Sequence, residues 1–183
     1  MNIKITYRRT SRLSMRIVKN GDVHVSAPIG MAQHVIEDFI RKNSEWIQKA
    51  RSKTQSIQQH RANFFNQLPL NTAEDKEQAL LRMQTIIPPL IEKYAPAMGV
   101  KPKRIVYQAT ISRWGCCQPA TGQLAFSVYL LLLPQWCIEH VVVHELTHLL
   151  VPNHSKQFYA VMDRFFPRWK EARKETKRIS STT

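Results

Sequence analysis

A chain of 183 residues is long enough for one ordinary domain, or for a core domain with a small one appended, and it can bury a substantial apolar core without a staple. Hydrophobic residues at 43% and charged residues at 22% are the composition of a soluble globular protein, which sets disorder aside. The 27 Lys and Arg against 13 Asp and Glu, a formal net charge of +14, favour anionic partners such as nucleic acid without fixing a fold.

The opening stretch MNIKITYRRTSRLSM lacks the apolar centre of a signal peptide, and no apolar run approaches a membrane span, so a cytoplasmic protein with no membrane partner is expected. Three cysteines make no disulfide framework and suit a reducing compartment. Cys137 reads as core.

Residues 3–27 alternate with the period of a strand: Ile3, Ile5 and Tyr7, then Leu13, Met15 and Ile17, then Val23 and Val25. Asn20-Gly21 marks a hairpin, since both residues accept the positive φ of a tight turn. A three-stranded antiparallel sheet is expected, closed by Pro28 and Gly30. From about Met31 the period becomes helical, with Val35, Ile36, Phe39, Ile40 and Ile47 on one face. This N-terminal sheet and helix take up residues 1–60. Residues 51–71, RSKTQSIQQHRANFFNQLPLN, are Gln-rich and weakly patterned, which points to an extended loop with a linker at 61–71.

The remaining residues, 72–183, form the second expected domain. Thr72 can cap the backbone N–H of Asp75 and open a helix bearing Leu80, Leu81, Ile87, Leu90, Ile91 and Tyr94. Pro88 and Pro89 must kink or interrupt it, and Gly99 can close it. Residues 104–110 and 124–130 read as strands joined through a turn at 119–122. Helix resumes near Gln135. No regular βαβ alternation is present, so the fold class is α+β with antiparallel sheets.

Within that last helical stretch lies VVVHELTHLLVPNHS. On a helix, residues four apart share a face, so His144 and His148 can offer both imidazoles to one metal ion. Glu145 lies near the rim of that face, where its carboxylate reaches a metal-bound water without being a ligand. Zinc accepts neutral imidazole and in catalytic sites keeps three protein ligands and one water, so a third ligand is required. His154 supplies a candidate: Pro152 ends the helix, Asn153 tolerates a left-handed turn, and the chain can fold back. Ser155 then caps a helix carrying Phe158, Met162 and Phe165 on one side.

With seven histidines in the chain, an HExxH match arises by chance on the order of one time in a hundred, and His154 lowers that further. The apolar neighbours Val141, Val142, Val143, Leu146, Leu149 and Leu150 suit a buried metal-bearing helix. The competing reading is two buried histidines satisfied by backbone carbonyls. A three-His zinc site would lower the pKa of its water and polarise a carbonyl, with Glu145 as general base, which implies hydrolysis of peptide or amide bonds. Tyr159 and Arg113 are both candidates for stabilising the oxyanion.

The run SRWGCCQPATGQLAFSVYLLLLPQWCIEHVVVHELTHLLVPNHSKQFYAVMDRFFP resembles the YgjP-like metallopeptidases, related to the SprT and WLM groups of zinc-dependent proteases. The likeness is densest over residues 104–167. It implies a zincin-like core, an HExxH helix under a small antiparallel sheet, with His144, His148 and His154 as zinc ligands and Glu145 as base. Ser112, Arg113, Trp114, Gly115 and Cys117 match the family's SRWGSC element. The resemblance implies that this element leads into a hairpin whose outer strand, near 123–129, borders the cleft and can pair with an extended peptide. Arg113, Trp114 and Tyr159 are the substrate-binding candidates. Cys116 stands where the family usually has Ser, and Ser127 where it usually has Asn.

Three functions follow: a zinc metallopeptidase acting on peptide or protein, a basic zinc protein working at nucleic acid, and a metal-stabilised module without catalysis. Glu145 separates the first from the third, because a structural site needs no adjacent carboxylate.

Overall fold

The strand period at the N-terminus becomes β1 (Ile3–Arg8), β2 (Ser14–Ile17) and β3 (Val23–Pro28), hydrogen-bonded in the order β1-β3-β2. These coordinates are a computed structural model that describes residues 2–182 and falls into two units, residues 1–62 and 63–183. The first sheet is mixed, not antiparallel as expected. β2 opposes β3 antiparallel, Met15 facing Val25, whereas β1 runs parallel to β3 with Ile5 beside Val25. Alternation in sequence decides which face is buried and leaves strand direction open. Only β3 has the central position, with Val23, Val25 and Ala27 at 0% exposure.

The hairpin at Asn20-Gly21 forms, but by a three-residue loop. Gly21 takes φ 83 and no non-glycine residue among those described has positive φ, so Asn20 stays right-handed. The Gly21 N–H donates to Val18 O and the Val18 N–H to Asp22 O, both at 2.9 Å, the pattern of a tight turn followed by a left-handed glycine.

The helix expected from Met31 is two helices, α1 (Gln33–Lys42) and α2 (Ser44–Asn66), divided at Asn43, whose side chain donates to Phe39 O at 2.7 Å. Ile36 and Ile47 close this unit's core onto Val23, Val25 and Ala27, while Val35 is exposed. The extended loop expected at 51–71 is a correction: α2 continues through Asn66, so the first half of the expected 61–71 linker is helical. The 51–71 stretch has little amphipathic period, yet it carries four Gln and two Arg, both good helix formers, and has no Gly or Pro before Pro69. Helix propensity therefore decides it where periodicity is mute.

In the second unit α3 (Ala73–Met98) starts with the full capping box, Thr72 accepting from the Asp75 N–H and Asp75 from the Thr72 N–H, both at 3.0 Å. Gly99 ends it in the left-handed conformation. Pro88, Pro89 and Pro96 all lie inside the unbroken helix. Its buried face runs through Ala79, Met83, Ile87, Leu90, Ile91, Ala95 and Met98, which leaves the expected Leu80 and Leu81 exposed.

A second mixed sheet follows, β4 (Arg104–Gln108), β5 (Gly115–Gln118) and β6 (Gln123–Ser127), ordered β4-β6-β5. β4 is parallel to β6 and β5 antiparallel to it, so the 119–122 turn joins β5 to β6 and does not join the two strands expected. β6 is therefore central, with β4 and β5 at the two edges, the reverse of the expected outer strand at 123–129. Ser127 ends β6, its hydroxyl accepting from the Tyr129 N–H at 3.3 Å and donating to Thr110 O at 2.6 Å, and residues 128–132 wind into a 3-10 turn.

Three helices complete the chain: α4 (Gln135–Leu150), α5 (Lys156–Phe165) and α6 (Trp169–Thr182). The fold class is α+β, as expected. α4 is the central element, packed against α3, β5, α5 and α6, with Val142, Val143 and Leu146 at 0% exposure and Cys137 in the core. Glu139 on α4 accepts from Lys93 Nζ and Tyr94 OH of α3, both at 2.7 Å. Among the described residues no helix is long and apolar enough to cross a membrane.

The assigned face of α3 is tested by two truncations read by urea denaturation. Ile87→Ala is expected to destabilise by about 2–5 kcal/mol, and Leu81→Ala, at 49% exposure, by less than about 1 kcal/mol.

Candidate metal centre and cleft

α4 sets His144 and His148 one turn apart on its surface, with ring centroids at 4.8 Å. The helix ends because Val151 turns to extended backbone, φ −133 and ψ 102, ahead of Pro152. The chain then returns His154 to the same place: its Nε2 lies 3.1 Å from His144 Nε2. The left-handed Asn153 of the sequence reading is not used, since no non-glycine among the described residues adopts positive φ. Ser155 occupies the N-cap of α5 without a side-chain bond to its backbone.

The three rings share a platform. Phe158, fully buried, faces His144, His148 and His154 with centroid separations of 4.9, 4.7 and 4.8 Å. His148 Nδ1 donates to Val151 O at 3.2 Å, which fixes the tautomer and turns the lone pair of Nε2 outward.

These residues fit a metal ion. One nitrogen from each histidine falls within 4.8 Å of the others, and the 3.1 Å pair is close to the about 3.3 Å between two nitrogens on tetrahedral zinc at 2.0–2.1 Å. Burial, with added repulsion from His148, His140, His154 and Arg173, holds the His144 ring down to about 3, and burial also lowers His148. His144 therefore stays neutral, the form that binds metal, well below neutral pH.

Glu145 lies against Gly115 of β5 and is only 5% exposed. Burial pushes its carboxyl up to about 8, against a smaller downward pull from Arg113. The space it occupies exists because residue 115 is glycine: a Cβ there would stand 2.5 Å from Glu145 Oε1 and 2.6 Å from Glu145 Cγ. The neighbouring Cys117 thiol is pushed up to about 11 by burial and by the Glu145 charge, and the three-histidine cluster does not include it.

Glu145, His144 and His154 open on a cleft of about 370 Å³ whose walls include Trp114 and Tyr159. Trp114 also packs against Phe64 and Phe65, and Tyr159 stacks on Trp169 at 4.7 Å. Arg113 is exposed outside the cleft lining, with Nη1 3.4 Å from Cys116 Sγ. Four residues went unread in the sequence. His140 precedes His144 by the same interval of four, so extending the period backward would have found it. Phe158 was visible only as an apolar position. Gly115 looked like part of a matched element with no stated role, and Arg173 was one charge among many.

The family model described as YgjP-like, metallopeptidase domain, matches residues 11–81 and 68–179, most of the chain. No curated protein matches it. A solved structure, the crystal structure of the metallopeptidase zymogen of Pyrococcus abyssi abylysin, aligns at 21% identity with a TM-score of 0.46, covering 50% of this chain and 91% of that one.

The buried carboxyl has a signed consequence for stability. Its folded-state pKa is raised, so its contribution is intact below the unfolded value of 4.5 and is lost as pH rises toward about 8. In the metal-free protein Glu145→Gln is expected to stabilise the fold by about 3 kcal/mol at pH 7, with the gain vanishing near pH 4. Denaturant titrations in chelator across that range check it. A gain independent of pH would contradict the buried-acid account.

Proposed function

The chain belongs to the YgjP-like metallopeptidase family, and on that premise we propose that it hydrolyses peptide bonds with zinc held by His144, His148 and His154 and with Glu145 as general base. The observation that carries this reading is the buried Glu145 carboxyl beside a three-histidine cluster, both opening on one cleft. A purely structural metal site would close its fourth position and has no use for such an acid.

Zinc bound there supplies a Lewis acid and lowers the pKa of water to near neutrality. The protein's own groups do the rest. Glu145 can accept a proton at a carboxylate oxygen from the attacking water and return it to the leaving amine nitrogen. The His148 bond to Val151 O keeps one ligand ring from rotating. Trp114 and Tyr159 offer flat apolar walls that exclude water and hold substrate side chains. β5, the edge strand that carries Gly115, presents free backbone groups to which an extended peptide can add as a further strand. Residues 72–183 form the catalytic domain in this reading.

Two experiments test it. Glu145→Gln is expected to retain one zinc per chain and to lose at least about a hundredfold in hydrolysis of an unstructured protein, whereas His154→Ala loses the metal. Persistent hydrolysis by Glu145→Gln would sink the mechanism. Gly115→Ala should keep its zinc and lower kcat by at least about tenfold, because the added methyl displaces the Glu145 carboxyl. Unchanged kcat would remove the strand from the account.

A further inference from the structure

Beside the cleft lies a second cavity of about 270 Å³, and Trp114, His140, Val141 and Arg173 line both. Two of these residues have unspent polar capacity. His140 is 8% exposed, and its Nδ1 has no hydrogen-bond partner among the described residues. Arg173, on α6, makes no ion pair there either, although its helix neighbours Arg168 and Arg178 are paired with Glu171 and Glu175. A free guanidinium and an unused buried ring nitrogen thus border one small space whose other walls are Trp114, Val141, Thr176, Lys177 and Ser180.

The surroundings have the same sign. Lys170, Arg173, Lys174 and Lys177 are exposed on α6 at the i, i+3, i+4, i+7 spacing of one helix face, and Lys177 also lines the second cavity. An anionic group entering this space meets a fixed cation, a neutral N–H when His140 carries its proton on Nδ1, and an approach lined with positive charge. A volume of about 270 Å³ suits a single side chain or chain end more than the backbone of a nucleic acid.

We propose that this cavity is a specificity subsite for a carboxylate of the substrate, with Arg173 as the charge partner and His140 Nδ1 as a second donor. The carboxylate is either an Asp or Glu side chain near the scissile bond or the α-carboxylate of the substrate's C-terminus. The inference rests on the peptidase reading, since a peptide lying in the cleft is what brings a neighbouring residue to the cavity.

Binding is measured in zinc-loaded protein carrying Glu145→Gln, by calorimetry and by quenching of tryptophan fluorescence, to which Trp114 and Trp169 in the cleft contribute. Three hexapeptides of otherwise equal sequence are compared: one blocked at both ends with a single Glu, one blocked with Gln in its place, and the Gln peptide with a free C-terminus. At least one carboxylate-bearing peptide should bind about tenfold tighter than the blocked Gln peptide. Arg173→Gln should abolish that advantage and Arg173→Lys should retain part of it, with zinc content and unfolding unchanged because Arg173 is a surface side chain. Which of the two peptides gains identifies the source of the carboxylate.

Equal affinity for all three peptides overturns the subsite, and so does a preference that survives Arg173→Gln. Single-stranded DNA that binds through Arg173 while the peptides bind alike overturns it in favour of a phosphate site. Hydrolysis of an unstructured protein by the unsubstituted enzyme is followed in parallel. Its absence would remove the peptidase reading, and the binding comparison would still judge the subsite.

Discussion

Glu145 keeps its carboxyl group inside the protein, and a buried carboxyl is tolerated at neutral pH only as the acid or with positive charge brought to it. Much of the second unit can be understood from that constraint. The helix carrying Glu145 must be anchored by the rest of its surface, and Val142, Val143 and Leu146 provide an apolar anchor with no exposure. The strand facing it must come close enough to exclude water. Burial keeps the adjoining His144 neutral and shifts His148 in the same direction. Desolvation of Glu145 weakens the metal-free fold as its carboxyl ionises.

The anchoring is chiefly apolar. The link from Lys93 and Tyr94 to Glu139 ties α3 to α4 at short distances, but the Lys93 side chain is 60% exposed, so the ion pair adds orientation more than energy. Aromatic packing does more. Phe64 and Phe65, at the end of α2, hold Trp114 at the entrance to β5, and Phe65 also meets Tyr129 edge-on at 4.9 Å. Trp114 thereby serves the core on one side and the cleft on the other, and the two roles need no compromise because an indole has two broad faces.

What was legible in the sequence was local. HELTH and the following His154, the Thr72 to Asp75 box, the Gly99 cap and the Asn20-Gly21 turn each depend on residues within about one or two turns of chain, where spacing and stereochemistry suffice. What failed depended on partners far away. Alternation revealed the strands but could not say that β1 would lie parallel to β3, or that β6 would be central and β5 at an edge. The helix over 51–66 was missed for a different reason: a polar helix carries its signal in propensity, which a search for apolar period does not register. His140 and Arg173 escaped because a residue's use can depend on the cavity it borders, and no cavity is written in a linear pattern.

Gly115 shows how misleading a familiar letter can be. Glycine usually advertises a turn, but here the backbone dihedral is ordinary and the letter encodes a distance: no other side chain leaves room for the Glu145 carboxyl. Anyone transplanting this chemistry into a designed scaffold would therefore fail by copying the five-residue helix motif alone. The smallest portable unit is the motif together with a bare position on a separate strand, and libraries built around the helix should hold that strand position fixed while they vary the rest.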